Sequence, residues 1–169
     1  MSKRENDLSG KNRRTADVVI CGAGIAGISA AYHLSVKQGV KNVWLVEERT
    51  PLSVTSDKST ECYRNFWPGP GDAMVGLMNR SIDIMEELAR ESSNIFHLSR
   101  RGYVYATASP DRISYFERYA KEVADLGAGT LRYHKNQPEG APYVPALHSG
   151  FEDQPGGADL ILDREIIHY

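Results

Sequence analysis

The sequence predicts an α/β fold that begins with a Rossmann-like βαβ unit, and three observations support this. An apolar run at residues 17–21 leads directly into Gly22, Gly24 and Gly27, which are spaced as G-x-G-x-x-G. A helical pattern follows the turn, and a second apolar run ends at Glu47. In such a turn Gly22 allows a tight bend, Gly24 leaves room for a pyrophosphate, and Gly27 lets the helix lie close to the sheet.

The spacing of apolar residues predicts the other two elements of this unit. Ile28, Ala31 and Leu34 recur at intervals of three within a predicted helix over 25–37, which Gly39 should end. Residues 43–46 form a short apolar run that is typical of a buried parallel strand. Glu47 follows Gly27 by 20 positions, where a Rossmann unit places the carboxylate that accepts hydrogen bonds from ribose hydroxyls. The pattern therefore predicts a dinucleotide site.

The helix terminus and Glu47 suggest how a dinucleotide would be held. We expect the unpaired N–H groups of residues 25–27 to face the pyrophosphate, helped by the positive end of the helix dipole. Glu47 disfavours a ribose 2′-phosphate, since two anions would then meet in one crevice. NADP is therefore disfavoured, although nearby Arg49 leaves that question open.

Composition indicates an ordinary globular protein. The chain of 169 residues is 25% charged and 41% hydrophobic, with a formal net charge of −2, which gives no nucleic-acid signal. No apolar run is long enough to span a membrane. Cys21 in the first predicted strand and Cys62 in a loop suit a reducing compartment, so we expect a cytoplasmic location. The histidines and cysteines lack the spacing of metal ligands, and no metal site is predicted.

The remaining sequence divides into segments that differ in character. Residues 1–15 are predicted to be a disordered tail, residues 16–71 the βαβ unit with a long Ser/Thr/Pro-rich loop over 49–71, and residues 72–169 a further helix and strand region. Within the last part we expect a helix over 72–92 with a Met and Leu stripe packed in the core, a strand over 101–106, and a helix over 110–126 ending at Gly127. The sequence after residue 129 reads as irregular.

Taken together, the glycine turn, Glu47, the loop at 55–60, the long helix and the 102–106 segment resemble one family. It comprises the flavin-dependent amine and amino-acid oxidoreductases, among them D-amino-acid oxidase, glycine oxidase, sarcosine oxidase and dimethylglycine dehydrogenase. The resemblance covers most of residues 16–169. It implies an FAD-binding βαβ unit followed by the beginning of a mixed α+β substrate domain, so that the chain looks like a truncated, N-terminal portion of such an enzyme.

The resemblance also implies roles for individual residues. The turn would line the FAD pyrophosphate, Glu47 would hold the adenosine ribose, and Ser56, Ser59 and Thr60 would approach the phosphates or the flavin. The implied cofactor-binding set is Gly22, Ala23, Gly24, Ile25, Ala26, Gly27, Glu47, Glu48, Arg49, Ser56, Ser59 and Thr60. Relatives with covalent flavin carry a histidine where this chain has residues 57–59, so the implied FAD is noncovalent. Arg64 loosely matches a basic residue near the flavin, and a surface ion pair is an equally good interpretation of it.

The reaction implied by the resemblance is oxidation of a C–N bond in a small amine or amino acid by hydride transfer to the flavin. The resemblance assigns no catalytic residue, and the expected substrate pocket would come from a further part of the chain or from a partner. Two alternatives remain from the residues alone. One is an NAD-binding dehydrogenase unit, which uses the same turn and carboxylate. The other is a non-catalytic remnant of the fold.

Overall fold

The computed structural model describes residues 14–134, 143–163 and 166. The chain divides into two compact units, Met1–Cys62 and Tyr63–Tyr169. The division lies before Tyr63, whereas the sequence suggested a boundary after Gly71. Residues 63–71 belong to the second unit because Asn65 donates hydrogen bonds there to Asn79 Oδ1 and to the Ala128 carbonyl, both at 2.8 Å. Most of the tail for which we predicted disorder lies outside the described residues.

The first unit contains the predicted βαβ arrangement. Strand β1 is Val18–Cys21, helix α1 is Ile25–Tyr32, and strand β2 is Val43–Val46. The strands are parallel, with Val18 opposite Val43 and Cys21 opposite Val46. The predicted helix over 25–37 is present, but its last part, His33–Lys37, is a wider π-helical turn. Gly39, with a φ of +71°, follows it as expected.

The loop after β2 carries a single helical turn. Helix α2 is Thr55–Lys58, and none of its residues is buried. Before it, Leu52 adopts a left-handed backbone with a φ of +62° and donates its N–H to the Ala23 carbonyl at 2.9 Å. The long loop is therefore tied to the glycine turn through main-chain atoms.

The second unit is built on two longer helices and a pair of strands. Helix α3 is Ala73–Glu91 and helix α4 is Asp111–Val123, which continues as a π-helical turn, Ala124–Ala128. Strands β3, Leu131–His134, and β4, Ala158–Ile161, are parallel, with Leu131 opposite Ala158. Both predicted helices are confirmed, and Gly127, with a φ of +96°, interrupts the second of them.

Small apolar clusters stabilise the second unit. One joins Val75, Val123 and Ala128 with Phe66 and Trp67 packed against them. The other joins Ala89, Leu98 and Phe151 with Tyr63 and Met85 packed against them.

The predicted core stripe of α3 is only partly buried. Met74 and Leu77 are exposed, whereas Val75 and Ala89 on the neighbouring face are fully buried. The prediction was wrong for the first turn because Met and Leu at helical spacing identify an apolar face without showing whether anything covers each of its turns.

Two predictions about strands in the second unit were wrong. Residues 101–106 form no strand, although Tyr103 and Tyr105 do lie on one side, with ring centres 6.5 Å apart. A strand requires a neighbour for its backbone hydrogen bonds, and alternation alone cannot supply one. Conversely, β3 and β4 lie in the region interpreted as irregular. They pair next to Gly157, where an added Cβ would lie 2.1 Å from the Thr130 carbonyl oxygen.

Candidate dinucleotide site

The glycine turn has the backbone geometry that the motif predicts. Gly22 directly follows β1 with a φ of +101°, a conformation that disfavours residues with a side chain. Its N–H donates to the Val46 carbonyl at 2.7 Å, which continues the pairing of the two strands into the turn. Ala23 is buried, with an exposed fraction of 1%. The turn is thus anchored to both strands of the first unit.

Gly27 is the position at which helix α1 approaches the turn most closely. A Cβ built there would lie 1.9 Å from the Gly22 carbonyl oxygen and 3.4 Å from Ile20 Cγ2. Such a separation from a backbone oxygen is impossible without moving the helix or the turn. The expected reason for this glycine, close packing of the helix on the strand, therefore matches the geometry.

Gly24 differs from the other two glycines because the fold itself does not require it. Its backbone is extended, with φ −76° and ψ −179°, which any residue adopts. A Cβ there would meet only Ser56 Oγ, at an ordinary 3.7 Å. The absence of a side chain at Gly24 leaves an open backbone approach at the N-terminus of α1, which is the feature that a pyrophosphate site needs.

Glu47 lies at the end of β2, and its carboxylate is fixed by the backbone. Oε2 accepts the N–H of Ala23 at 2.7 Å, and Oε1 accepts the N–H of Arg49 at 3.0 Å. These bonds, above all the one from Ala23, lower the pKa of Glu47 from its ordinary value of 4.5. The carboxylate is therefore ionised at neutral pH, and it is held against the turn.

The N-terminus of α1 is capped from the loop after β2. Ser56 Oγ accepts the N–H of Ile25 at 3.1 Å, whereas we expected the Ile25 N–H to face an anion directly. The N–H groups of Ala26 and Gly27 in the same first turn have no acceptor among the described residues. A helix start with free N–H groups and a nearby hydroxyl is well suited to bind a phosphate.

Several other residues of the implied cofactor set do not meet at the turn. The side chains of Glu48 and Arg49 form an exposed ion pair at 3.3 Å, and only the main chain of Arg49 reaches Glu47. Ser59 Oγ accepts the N–H of Glu61 at 3.0 Å, and the Thr60 carbonyl accepts a weak bond from the thiol of Cys62. The contacts of these residues are local to the loop.

One contributor to the turn was missed by the sequence interpretation. Leu52 holds the Ala23 carbonyl through its backbone N–H. This hydrogen bond uses only main-chain atoms, and a positive φ at a residue other than glycine is not recognisable from the residue type. No sequence pattern could therefore have indicated the contact between Leu52 and Ala23.

One interpretation of the sequence was that Arg64 forms a surface ion pair. In the second unit its guanidinium instead contacts two aromatic rings. Its guanidinium carbon lies 4.6 Å from the ring centre of Trp67 and 5.3 Å from that of Tyr103. Its Nε is buried and has no hydrogen-bond partner among the described residues. A buried cationic donor without an acceptor is costly unless a further group satisfies it.

The part of the chain that the structure describes contains no group of three or more His, Cys, Asp or Glu residues that could hold a metal ion. None of its helices is both long enough and apolar enough to cross a membrane. Both cysteines are free and exposed.

Comparison with known proteins finds partial similarity to two named enzymes. The chain is 29% identical over 92 residues to the sarcosine oxidase subunit beta of an Arthrobacter species, which is 53% of this chain and 22% of that protein. It is 28% identical over 102 residues to the mitochondrial dimethylglycine dehydrogenase of Rattus norvegicus, 60% of this chain and 12% of that protein. The chain thus spans about a fifth or less of the length of these relatives. No solved structure matches it significantly.

A family model covers most of the chain. The model for FAD dependent oxidoreductases, DAO, matches residues 17–159. The match includes β1, the glycine turn, Glu47 and most of the second unit. The resemblance inferred from the sequence is therefore confirmed, and with it FAD as the cofactor of the family. This chain belongs to the DAO family of FAD-dependent oxidoreductases.

Proposed function

We propose that the first unit binds FAD noncovalently at the glycine turn and that the chain serves oxidation of a C–N bond in a small amine or amino acid. The observation that carries the proposal is the bridge between Glu47 and Ala23, at 2.7 Å. It sets an ionised carboxylate beside a turn whose Gly24 has no side chain to obstruct a ligand. The same residues thus present an acceptor for ribose hydroxyls next to an opening for a pyrophosphate.

The phosphate end of the site would use the first turn of α1. The N–H groups of Ala26 and Gly27 donate to phosphate oxygens in this proposal, and the helix dipole adds favourable charge. Ser56 accepts from Ile25, so its own hydroxyl proton remains available to a second phosphate oxygen. The remaining loop residues of the implied set, Ser59 and Thr60, would act at the flavin end of the same ligand.

The ribose end of the site would use Glu47. Its lowered pKa keeps the carboxylate ionised, so it accepts hydrogen bonds from the two ribose hydroxyls and repels a 2′-phosphate. The Arg49 side chain pairs with Glu48 at 3.3 Å, which leaves it engaged with a carboxylate of its own chain. This arrangement supports FAD over a 2′-phosphorylated dinucleotide.

The bound flavin would supply the hydride acceptor, and the protein would orient the substrate against it. Two relatives are named for sarcosine and for dimethylglycine, which are amines that also carry a carboxylate. We extend this substrate class to the present chain.

Apolar residues of the first sheet are open to solvent, with Val19 56% and Val46 48% exposed, and parallel sheets are normally covered on both faces. We therefore propose that substrate oxidation also uses residues beyond this unit, and that the protein acts in the cytoplasm, where its free cysteines would stay reduced.

Arg64 supports a substrate that carries a carboxylate. Its guanidinium is held by Trp67 and Tyr103, and its buried Nε lacks an acceptor. A carboxylate forms charge-assisted hydrogen bonds to a guanidinium and would satisfy this donor. Arginine thus gives the second unit an anchor for the acid group of an amino-acid substrate.

Replacing Arg64 with Met is expected to weaken binding of a small carboxylate. Loss of one charge-assisted interaction corresponds to a decrease of roughly 10- to 100-fold in affinity, measured by calorimetric titration of the full chain with sarcosine. Arg112→Met is the matched control, because Arg112 also lies over an aromatic ring, that of Tyr115 at 4.9 Å, but at an exposed position of α4. Equal affinities in the two variants would contradict the role of Arg64.

Replacing Gly24 with Val is expected to abolish FAD retention while the protein stays folded. The extended backbone of Gly24 accepts a side chain, and the helix cap it provides is worth about 1 kcal/mol over a β-branched residue. A branched side chain would, however, occupy the approach of the pyrophosphate. Flavin content after purification and far-UV circular dichroism separate these effects. A folded variant with normal flavin content would place the cofactor elsewhere.

A further inference from the structure

We propose that residues 50–59, which we name the strap, form a mobile closure over the glycine turn, and that the dinucleotide holds this closure shut through Ser56. The inference rests on the proposed function, because it assigns the FAD phosphates to the first turn of α1. It adds a conformational step to that function: the strap opens to admit the ligand, and the ligand then stabilises the closed form.

The start of the strap is firmly attached. The N–H of Arg49, immediately before it, donates to Glu47 Oε1 at 3.0 Å, and the N–H of Leu52 donates to the Ala23 carbonyl at 2.9 Å. Ala23 is itself buried. The left-handed backbone of Leu52, with a φ of +62°, turns the chain at this point. Residues 50–52 therefore form the fixed end of the strap, where a hinge would be expected.

Among the residues that the structure describes, one hydrogen bond holds the far end of the strap to the turn. Ser56 Oγ accepts the Ile25 N–H at 3.1 Å, and that bond is exposed. Helix α2, which carries Ser56, is a single turn without a buried residue, and Val54 before it is 58% exposed. A segment with so few buried contacts and a single exposed hydrogen bond opens readily, because the net free energy of one such bond is small.

Ser56 also provides the link between the closure and the ligand. While its oxygen accepts from Ile25, its hydroxyl hydrogen can donate to a phosphate oxygen at the same helix end. The ligand thus makes one more hydrogen bond in the closed form than in the open form. A ligand that prefers one of two forms shifts the population toward it.

Limited proteolysis of the full chain measures this closure directly. Trypsin can cleave after Lys58 at the end of the strap, and the side chain of Lys58 is 73% exposed. Exposed Lys41 provides a control site in the same unit but outside the strap. At saturating FAD we expect cleavage after Lys58 to slow at least fivefold, while cleavage after Lys41 changes less than twofold. ADP, which carries the pyrophosphate and the adenosine ribose without flavin, should protect Lys58 to a similar extent.

Substitution of Ser56 tests whether its hydroxyl provides the link. Ser56→Ala should lose the protection of Lys58 even at saturating FAD, whereas Ser56→Thr, which keeps a hydroxyl, should retain it. Ser53→Ala is the matched control within the strap, because the Ser53 main chain, not its side chain, makes the bond to Thr50. Full protection of Lys58 in Ser56→Ala, or loss of protection in Ser53→Ala alone, would overturn the inference.

Flavin fluorescence, recorded on the same samples, separates the two proposals. Fluorescence quenching with unchanged cleavage after Lys58 would show that FAD binds without closing the strap, which overturns this inference and leaves the proposed function standing. No quenching and no protection would overturn the proposed function itself, and this inference with it.

Discussion

Gly27→Ala should destabilise the first unit by about 3 kcal/mol or more and abolish FAD binding. The added methyl would lie 1.9 Å from the Gly22 carbonyl oxygen. Overpacking of this kind typically costs about 1–3 kcal/mol, and the upper end applies because the nearest neighbour is a backbone carbonyl rather than an adjustable side chain. Either α1 or the turn must move, and both contribute to the proposed pyrophosphate site. Thermal unfolding and FAD titration of the full chain measure the two effects.

Gly24→Ala is the control for the stability effect of a methyl group in the same turn. Its Cβ would have Ser56 Oγ as neighbour at 3.7 Å, so the free energy of unfolding should change by no more than about 1 kcal/mol. If Gly27→Ala were as stable as Gly24→Ala, helix α1 would not lie as close to the turn as described.

Glu47→Gln is expected to weaken FAD binding by roughly 10- to 100-fold, the range for hydrogen bonds that involve a charged group. The N–H groups of Ala23 and Arg49 reach different carboxylate oxygens, and in the amide one of these positions becomes an NH2 donor, so one bond is lost in this geometry. The amide also lacks the negative charge that ribose hydroxyls would meet. Glu48→Gln is the matched control, because the Glu48 side chain is 80% exposed and pairs only with Arg49 among the contacts described. Comparable losses in the two variants would contradict the assignment of Glu47.

The contribution of Glu47 to the stability of the fold should change with pH in a defined direction. The pKa of Glu47 is lowered in the folded chain, chiefly by the Ala23 N–H bond, below its ordinary 4.5. A carboxylate with a lowered folded pKa stabilises the fold above the unfolded pKa, and this stabilisation is lost as the pH falls through the folded pKa. The stabilisation from Glu47 should therefore be fully present and independent of pH near neutrality, and it should be lost in the acid range below 4.5. Unfolding measured against pH should show a smaller acid loss in Glu47→Gln.

Local sterics explain why the βαβ geometry of the first unit could be predicted from the sequence. Gly22 needs a positive φ, Gly27 has no room for a methyl, and Glu47 follows at the distance set by one helix and one strand. Each requirement restricts the residue type at one position, so the sequence records it. The cap that Ser56 provides for Ile25 joins residues 31 apart along the chain, and only the resemblance to the family suggested Ser56.

The second unit was harder to predict because its elements depend on partners distant in sequence. Tyr103 and Tyr105 alternate as in a strand, but residues 101–106 pair with no strand. Leu131 pairs with Ala158, which lies 27 residues further along the chain, and neither short strand has a distinctive sequence pattern. The widening of α1 at His33 and of α4 at Ala124 into π-helical turns likewise left no periodic signal.

The central claim is that this chain holds FAD noncovalently, and the visible absorption spectrum of the purified protein tests it most directly. The measurement is followed by acid precipitation, which releases a noncovalent cofactor and retains a covalent one. Our account predicts a two-band flavin spectrum, retained by the native protein or acquired after addition of FAD, that moves entirely to the supernatant. A folded protein that stays colourless after incubation with FAD would contradict the account and favour a non-catalytic remnant of the fold.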